Sequence, residues 1–282
     1  MSGLQFNIDQ DFQYGIKLTT DPRINNGSIV LLEPARDGTV GIPSTIANYA
    51  VDEFKAITGI EVPSIAVKNT LASVGGVAER TAKGGLHGIY PQNLTSASPR
   101  GVLSGLIPDA VKDYIMSNTS HAFYMSLMGV ITRNAITGAG NAPVLAGLYS
   151  GSDGTATAQN TPCIYQSVST STVSGGRTGP DTLGRTTAPP NPAFCVDVAH
   201  SKLVLTASSN MDSIKGELFS IGNISTSVYA GCPSWVFYSM YVEDLTISGQ
   251  TYAEAHAKSQ AVYDSRFGSG GIYSGDTWTI PS

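Results

Sequence analysis

Four histidines, three cysteines and 21 carboxylates are the residues with which this chain could do acid–base, nucleophilic or metal chemistry. The histidines are His87, His121, His200 and His256. A helical zinc site needs two ligands one turn apart on one face, and no pair here has that i, i+4 spacing. His87 follows Gly84-Gly85, His121 and His200 open predicted strands, and His256 lies in a predicted helix near Tyr252 and Gln260. Each reads as a hydrogen-bonded or solvent-facing imidazole. Cys163, Cys195 and Cys232 are odd in number and widely spaced, with no C-x-x-C, so neither a zinc knuckle nor a disulfide framework is indicated. They read as small apolar groups of a chain made in a reducing cytoplasm. No metal and no cofactor is expected.

Nucleophile signals are equally sparse. Ser104, in Gly101-Val-Leu-Ser-Gly105, misses the Gly-x-Ser-x-Gly elbow by one position and follows no predicted strand. Cys195 and His200 are five residues apart, without a third group to orient the imidazole. Glu243 and Asp244 are adjacent in a strand, so they face opposite ways and cannot flank one glycosidic bond. One of them would need Asp197, Asp212 or Glu217 from another strand. The Gly75–Gly85 stretch places its lysine before the glycines, unlike a phosphate loop. Ser152-Asp-Gly-Thr155 lacks the acidic repetition of a calcium loop.

The elements that would position such residues are mostly strands. Trp235–Val242 is apolar on both faces, with Trp235, Phe237, Ser239 and Tyr241 on one and Val236, Tyr238, Met240 and Val242 on the other. It predicts a central strand. A helix follows, with Thr251 and Glu254 as a capping box, Ala253, Ala257 and Ala261 as a close-packing stripe, and Gly268 as a left-handed stop. Asp244 is placed to cap the intervening turn. A first helix is predicted over Ser44–Gly59, with Ile46, Ala50, Phe54 and Ile57 on one face, and a second from Pro108 to Asn118. His121–Arg133 predicts a strand whose Phe123, Met125, Leu127 and Ile131 share a face. Further strands are predicted at Ile65–Val67, Pro143–Tyr149, Cys163–Ser169, Ala193–Val198, Lys202–Ala207 and Glu217–Ile221. The Gly/Ser/Thr/Pro-rich stretches 150–160 and 170–193 read as long loops, and 271–281 as one more strand, docked.

This pattern predicts a mainly-β sandwich over residues 44–282, with two or three short helices and an extension over 1–43. Within that extension Ile29–Leu32 is a short strand with few apolar neighbours. It predicts an arm that lies on another subunit, or else a strand added to its own sheet. Charged residues make up 13% of the chain, against about 25% in ordinary soluble domains. That depletion fits a surface covered in an assembly. The net charge of −5 and the absence of Lys/Arg clusters speak against nucleic acid as a partner. No run is long enough for a membrane-spanning helix, and Met1–Asn7 has neither the basic nor the apolar region of a secretion signal.

Four stretches carry a resemblance. They are Glu79-Arg-Thr-Ala-Lys-Gly-Gly-Leu-His87, Phe123–Asn134, Tyr241–Tyr252 and Phe267–Trp278. Together they resemble structural proteins of tailed-bacteriophage virions. The strand-then-helix near the C-terminus is similar to the closing segment of concanavalin/laminin-G-like jelly rolls. The resemblance implies a non-enzymatic virion component of the tail, baseplate, collar or fibre apparatus, assembled with itself and with other virion proteins. It brings no catalytic residues. The Glu-x-Asp-x-x-Glu strand of concanavalin-like glycosidases is absent. The second expectation is a carbohydrate-binding module for a host-surface glycan, with Tyr165, Trp235 and Trp278 as stacking platforms. Capsid decoration and glycan processing come after it.

Overall fold

β-Branched and aromatic runs form twelve strands among the described residues of the computed structural model, which are 21–95, 101–134, 144–150, 163–165, 193–200, 214–222 and 231–281. They are β1 (Ser28–Leu32), β2 (Thr45–Ala47), β3 (Ser64–Asn69), β4 (Val77–Arg80), β5 (Leu86–Ile89), β6 (Val102–Leu106), β7 (Phe123–Arg133), β8 (Val144–Ser150), β9 (Cys163–Tyr165), β10 (Ala193–His200), β11 (Ile214–Gly222) and β12 (Ser234–Asp244). All pairings are antiparallel. The first sheet runs β10-β7-β12-β5-β4, with β1 also on β12; the second runs β2-β3-β6-β11-β8-β9. The two pack face to face. Phe219 of β11 stacks on Phe237 of β12, with centroids 4.0 Å apart and planes 9° from parallel. Trp235 Nε1 donates to the Ser220 carbonyl across the same interface at 3.1 Å. Gly105 leaves room for Phe219, since a Cβ there would lie 2.5 Å from the ring.

β12 is the predicted central strand, and all eleven of its residues are buried. Its face assignment needs a correction. A bulge between Phe237 and Ser239 puts Tyr238 outside the regular pairing with β7. Alternation restarts there, as an inserted residue requires. Trp235, Phe237, Met240 and Val242 therefore enter the core between the sheets, while Val236, Tyr238 and Tyr241 belong to clusters on the outer face. The bulge lies where the neighbour changes: β5 pairs with Trp235–Phe237, and β1 takes over at Met240.

β1 is not an arm. Its five residues are buried, and all but Ile29 pair in register with β12 of the same chain. The second alternative for Ile29–Leu32 is thus the observed one, and residues 1–20 lie outside the described residues.

Four α-helices occur among the described residues: α1 (Val51–Thr58), α2 (Asp109–Ser117), α3 (Leu245–Ser248) and α4 (Tyr252–Phe267). The Ser44–Gly59 prediction was too long, because β2 pairs with β3. The Asn48 side chain supplies the reason. It accepts from the Leu31 and Ala50 amides and donates to the Ile29 and Val62 carbonyls, fixing an extended chain ahead of α1. Gly59 ends α1 at φ 76°, where glycine carries no Cβ penalty. α2 and its Asn118 end match expectation. α4 has both bonds of the Thr251–Glu254 capping box. Its buried face is Ala255, Ser259, Val262 and Arg266; the Ala253/Ala257/Ala261 stripe is exposed. Gly268 is not left-handed (φ −64°); a Cβ there would lie 2.4 Å from the Asp264 carbonyl oxygen. Residues 271–281 are docked, but as turns and not as a strand. Lys202–Ala207 and most of the two loop-rich stretches lie outside the described residues. No helix among those described is long and apolar enough to cross a membrane.

Candidate functional site

The outer face of the first sheet carries two clusters of buried polar side chains among the described residues. His87 of β5 stands directly across from Glu79 of β4. His87 Nδ1 lies 2.8 Å from Glu79 Oε1, and His87 Nε2 lies 2.9 Å from Thr132 Oγ1 of β7. Burial pushes the His87 imidazole below its usual pKa, with Glu79 pulling the other way. Burial works against the Glu79 carboxylate too, yet bonds from His87 and from the Thr279 amide and hydroxyl hold it below its ordinary value. An ionised carboxylate only accepts, so the Nδ1 proton points to Glu79 and Nε2 accepts from the Thr132 hydroxyl. Hydroxyl, neutral imidazole and carboxylate in line are the parts of a general-base relay. Here, however, His87 has no exposed surface, Thr132 is 8% exposed, and Trp278 packs its ring 6.4 Å from the imidazole. As it stands, the chain of bonds ties β4, β5, β7 and the C-terminal strap together.

A second cluster is ionic. Asp21 receives both Nε and Nη2 of Arg23 at 3.0 Å and Nη2 of Arg266 at 2.6 Å. Glu33 pairs with Arg23, Arg36 and Arg266. Burial alone would raise the Asp21 carboxyl, but the Arg23 and Arg266 guanidiniums hold it far below the usual carboxylate range. Arg23 also donates to Ser239, the residue that the β12 bulge turns outward. The cluster therefore locks α4 and the segment before β1 onto β12. Beside it, Asp276 accepts from Tyr238 Oη at 2.7 Å and from the Lys83 amide at 2.8 Å, fixing the C-terminal strap.

Asp244 forms the third cluster. Oδ1 accepts from the Thr246 and Ile247 amides and so caps α3, as expected. Oδ2 accepts from Tyr114 Oη and lies against His121 Nδ1, both at 2.6 Å. It thus joins α2, the start of β7 and the end of β12.

Several expected residues are not brought together. Trp235 is wholly buried and offers no face to a sugar ring. Trp278 is half-buried over His87, and the Tyr165 side chain lies outside the described residues. Cys195 Sγ sits 3.7 Å from Ser126 Oγ and 3.9 Å from the Ser259 carbonyl oxygen; the His200 side chain is likewise not among those described. Ser104 and Ser220 are direct partners across β6 and β11, with buried hydroxyls that bond to no protein group. Glu217 of β11 has one carboxylate oxygen shut off without a partner, and burial pushes its pKa up to about 7 against the pull of Lys68. Among the described residues no three His, Cys, Asp or Glu side chains are grouped to hold a metal ion. No protein-family model and no curated protein sequence matches the chain.

Sequence reasoning missed the Glu79–His87 pair, although a signal existed. A hairpin folded about Lys83-Gly84 places residues 79 and 87 opposite each other. Thr132 and the Arg266–Asp21 contact had no local signal.

Proposed function

We propose that this chain is a non-enzymatic structural subunit of a tailed-phage virion, in the tail, baseplate, collar or fibre apparatus. It joins copies of itself and other virion proteins through protein–protein contacts. The placement of charge carries this reading. Of 37 charged residues, Asp21, Arg23, Glu33, Glu243, Asp244, Arg266 and Asp276 are buried inside the subunit. That leaves no more than 30 outside the core, and the whole chain is only 13% charged against about 25% in ordinary soluble domains. Interface cores are depleted in charge in the same way. The polar clusters that resemble catalytic parts are sealed and span several elements, which suits a rigid building block. Among the described strands from β6 to β12, consecutive strands lie in opposite sheets in five of six cases, which supports a concanavalin/laminin-G-like jelly roll. The four stretches that resemble phage virion proteins support the location.

Carbohydrate binding is the weaker reading, because Trp235 is in the core. Two measurements test the proposal. Sedimentation of the full chain over a wide concentration range should show a discrete homo-oligomer. Peptide mass spectrometry of the purified phage particles should find the chain in stoichiometric amount. A monomer at every concentration, together with absence from the particles, overturns it.

A further inference from the structure

One oxygen of the buried ionic cluster is shared by three cations. Asp21 Oδ2 takes Arg266 Nη2 at 2.6 Å, Arg23 Nη2 at 3.0 Å and Arg36 Nη2 at 3.6 Å. Glu33 is the other carboxylate that these guanidiniums reach among the described residues, and it pairs with the same three. Three positive charges thus meet two negative ones. The Arg23 and Arg266 side chains are buried, and Arg36 stands at the solvent edge with 31% of its side chain exposed. The next carboxylates are engaged elsewhere: Asp276 by Tyr238, Thr81 and the Lys83 amide, Glu243 by Tyr241 and Gln250, and Asp37 by Tyr49. A buried charge without a counter-charge is costly. The strain shows on Arg266, whose guanidinium is held below its ordinary pKa first by burial and then by Arg23.

Two buried donors of this cluster, Arg23 Nη1 and the Tyr273 hydroxyl, bond to no protein group. Arg23 is 1% exposed and Tyr273 3%. The Tyr273 amide donates to the Arg266 carbonyl at 2.9 Å, which seats the phenol beside the arginines. The Arg266, Arg36 and Arg23 charges all act on its hydroxyl. A guanidinium nitrogen only donates, so the partner of Arg23 Nη1 must be an acceptor. The phenol can donate to that same acceptor. A divalent oxyanion would overshoot the one surplus charge and bring more acceptor sites than two donors can satisfy.

We propose that Arg23 Nη1 and Tyr273 Oη, beneath Arg36, bind one small monovalent anion of the halide class, chloride foremost. The anion accepts from both groups and balances the third guanidinium. It thereby pins the C-terminal strap at Tyr273 to α4 and to the segment before β1.

The test is thermal melting of the full chain at constant ionic strength, with chloride replacing the bulky anion gluconate. A saturable rise in melting temperature is expected with chloride and with bromide. Tyr273→Phe keeps the ring and removes one donor. In gluconate it should be at least as stable as wild type, because an unpartnered buried hydroxyl has gone. In chloride it should fall below wild type and need about tenfold more chloride for the half-maximal rise, the worth of one hydrogen bond to a charged group. Wild-type crystals soaked in bromide should show an anomalous peak between Arg23 and Tyr273. Melting that follows ionic strength but not the identity of the anion overturns the proposal. So does a Tyr273→Phe deficit of equal size in both media, which is the mark of a bridging water, and so does the lack of a bromide peak at that place.

Discussion

Arg266, near the end of α4, donates to the carboxylate of Asp21 at 2.6 Å across 245 positions of sequence. The bond joins the last helix to the first described residue, and both partners are buried. Removing one member of a buried ion pair leaves the other charge uncompensated and costs about 3–5 kcal/mol. Arg266→Ala is therefore expected to lower stability by about that amount. Ala261→Ser, on the exposed side of the same helix, should stay within about 0.5 kcal/mol. Urea unfolding followed by fluorescence reports both, and a near-neutral Arg266→Ala would show that the cluster does not hold α4 in place.

The Asp21 carboxyl is held low in the folded chain, so folding gains stability wherever it is ionised in the fold and would be protonated in the unfolded chain. That contribution is complete above its ordinary value of 3.8 and drains away as pH falls below it. Asp21→Asn should therefore narrow the difference in unfolding midpoint between pH 5 and pH 3. An unchanged difference would place acid sensitivity elsewhere.

What the sequence made legible was local. The capping box at Thr251, the bounds of α2 and the inward face of β7 depend on neighbours within a few positions, and all three match the fold. The face of β12 was misread past Phe237, because the bulge answers to a change of partner strand that no local pattern records. The first helix was overextended for a similar reason: Asn48 is fixed by Ile29, Leu31 and Val62, which are distant in sequence. The Ala253/Ala257/Ala261 stripe had the right period for packing, but Arg266 decides which side of α4 faces inward.

Trp235 is expected to be a structural residue. Its ring is wholly buried beside Phe237 and Phe194, and its Nε1 is bonded to Ser220. Trp235→Ala should cost roughly 3–5 kcal/mol. Trp235→Phe keeps an aromatic ring but leaves the Ser220 carbonyl oxygen without its donor, a loss of about 1–3 kcal/mol. A thermal melt that barely moves for the alanine variant would contradict the core placement.

His87 should be neutral in the folded chain at pH 7, with its proton on Nδ1. Burial lowers its pKa below 6.5, so the folded chain binds fewer protons there than the unfolded one. Its contribution to stability is full above 6.5 and declines as pH falls beneath that value. Long-range 15N NMR of the imidazole distinguishes the tautomers directly. A charged ring at pH 7, or a proton on Nε2, would reverse the donor and acceptor roles assigned to Glu79 and Thr132.

Glu217 makes the opposite prediction. Burial raises its carboxyl to about 7 from the ordinary 4.5, with Lys68 opposing only in part. The folded chain therefore holds a proton between those values that the unfolded chain has released. Stability must fall as pH rises through that window and level off above it. Solvent reaching the half-buried residue reduces the full linkage, so a loss of about 1–3 kcal/mol is expected between pH 4.5 and pH 7.5. Glu217→Gln keeps the shape and removes the titration. It should be more stable than wild type at pH 7.5 and nearly equal to it at pH 5. The comparison is made as a difference between the two proteins at each pH, which cancels the shared contributions of Asp21 and His87. If the two proteins differ by the same amount at both pH values, Glu217 has an ordinary pKa and burial does not disfavour its carboxylate.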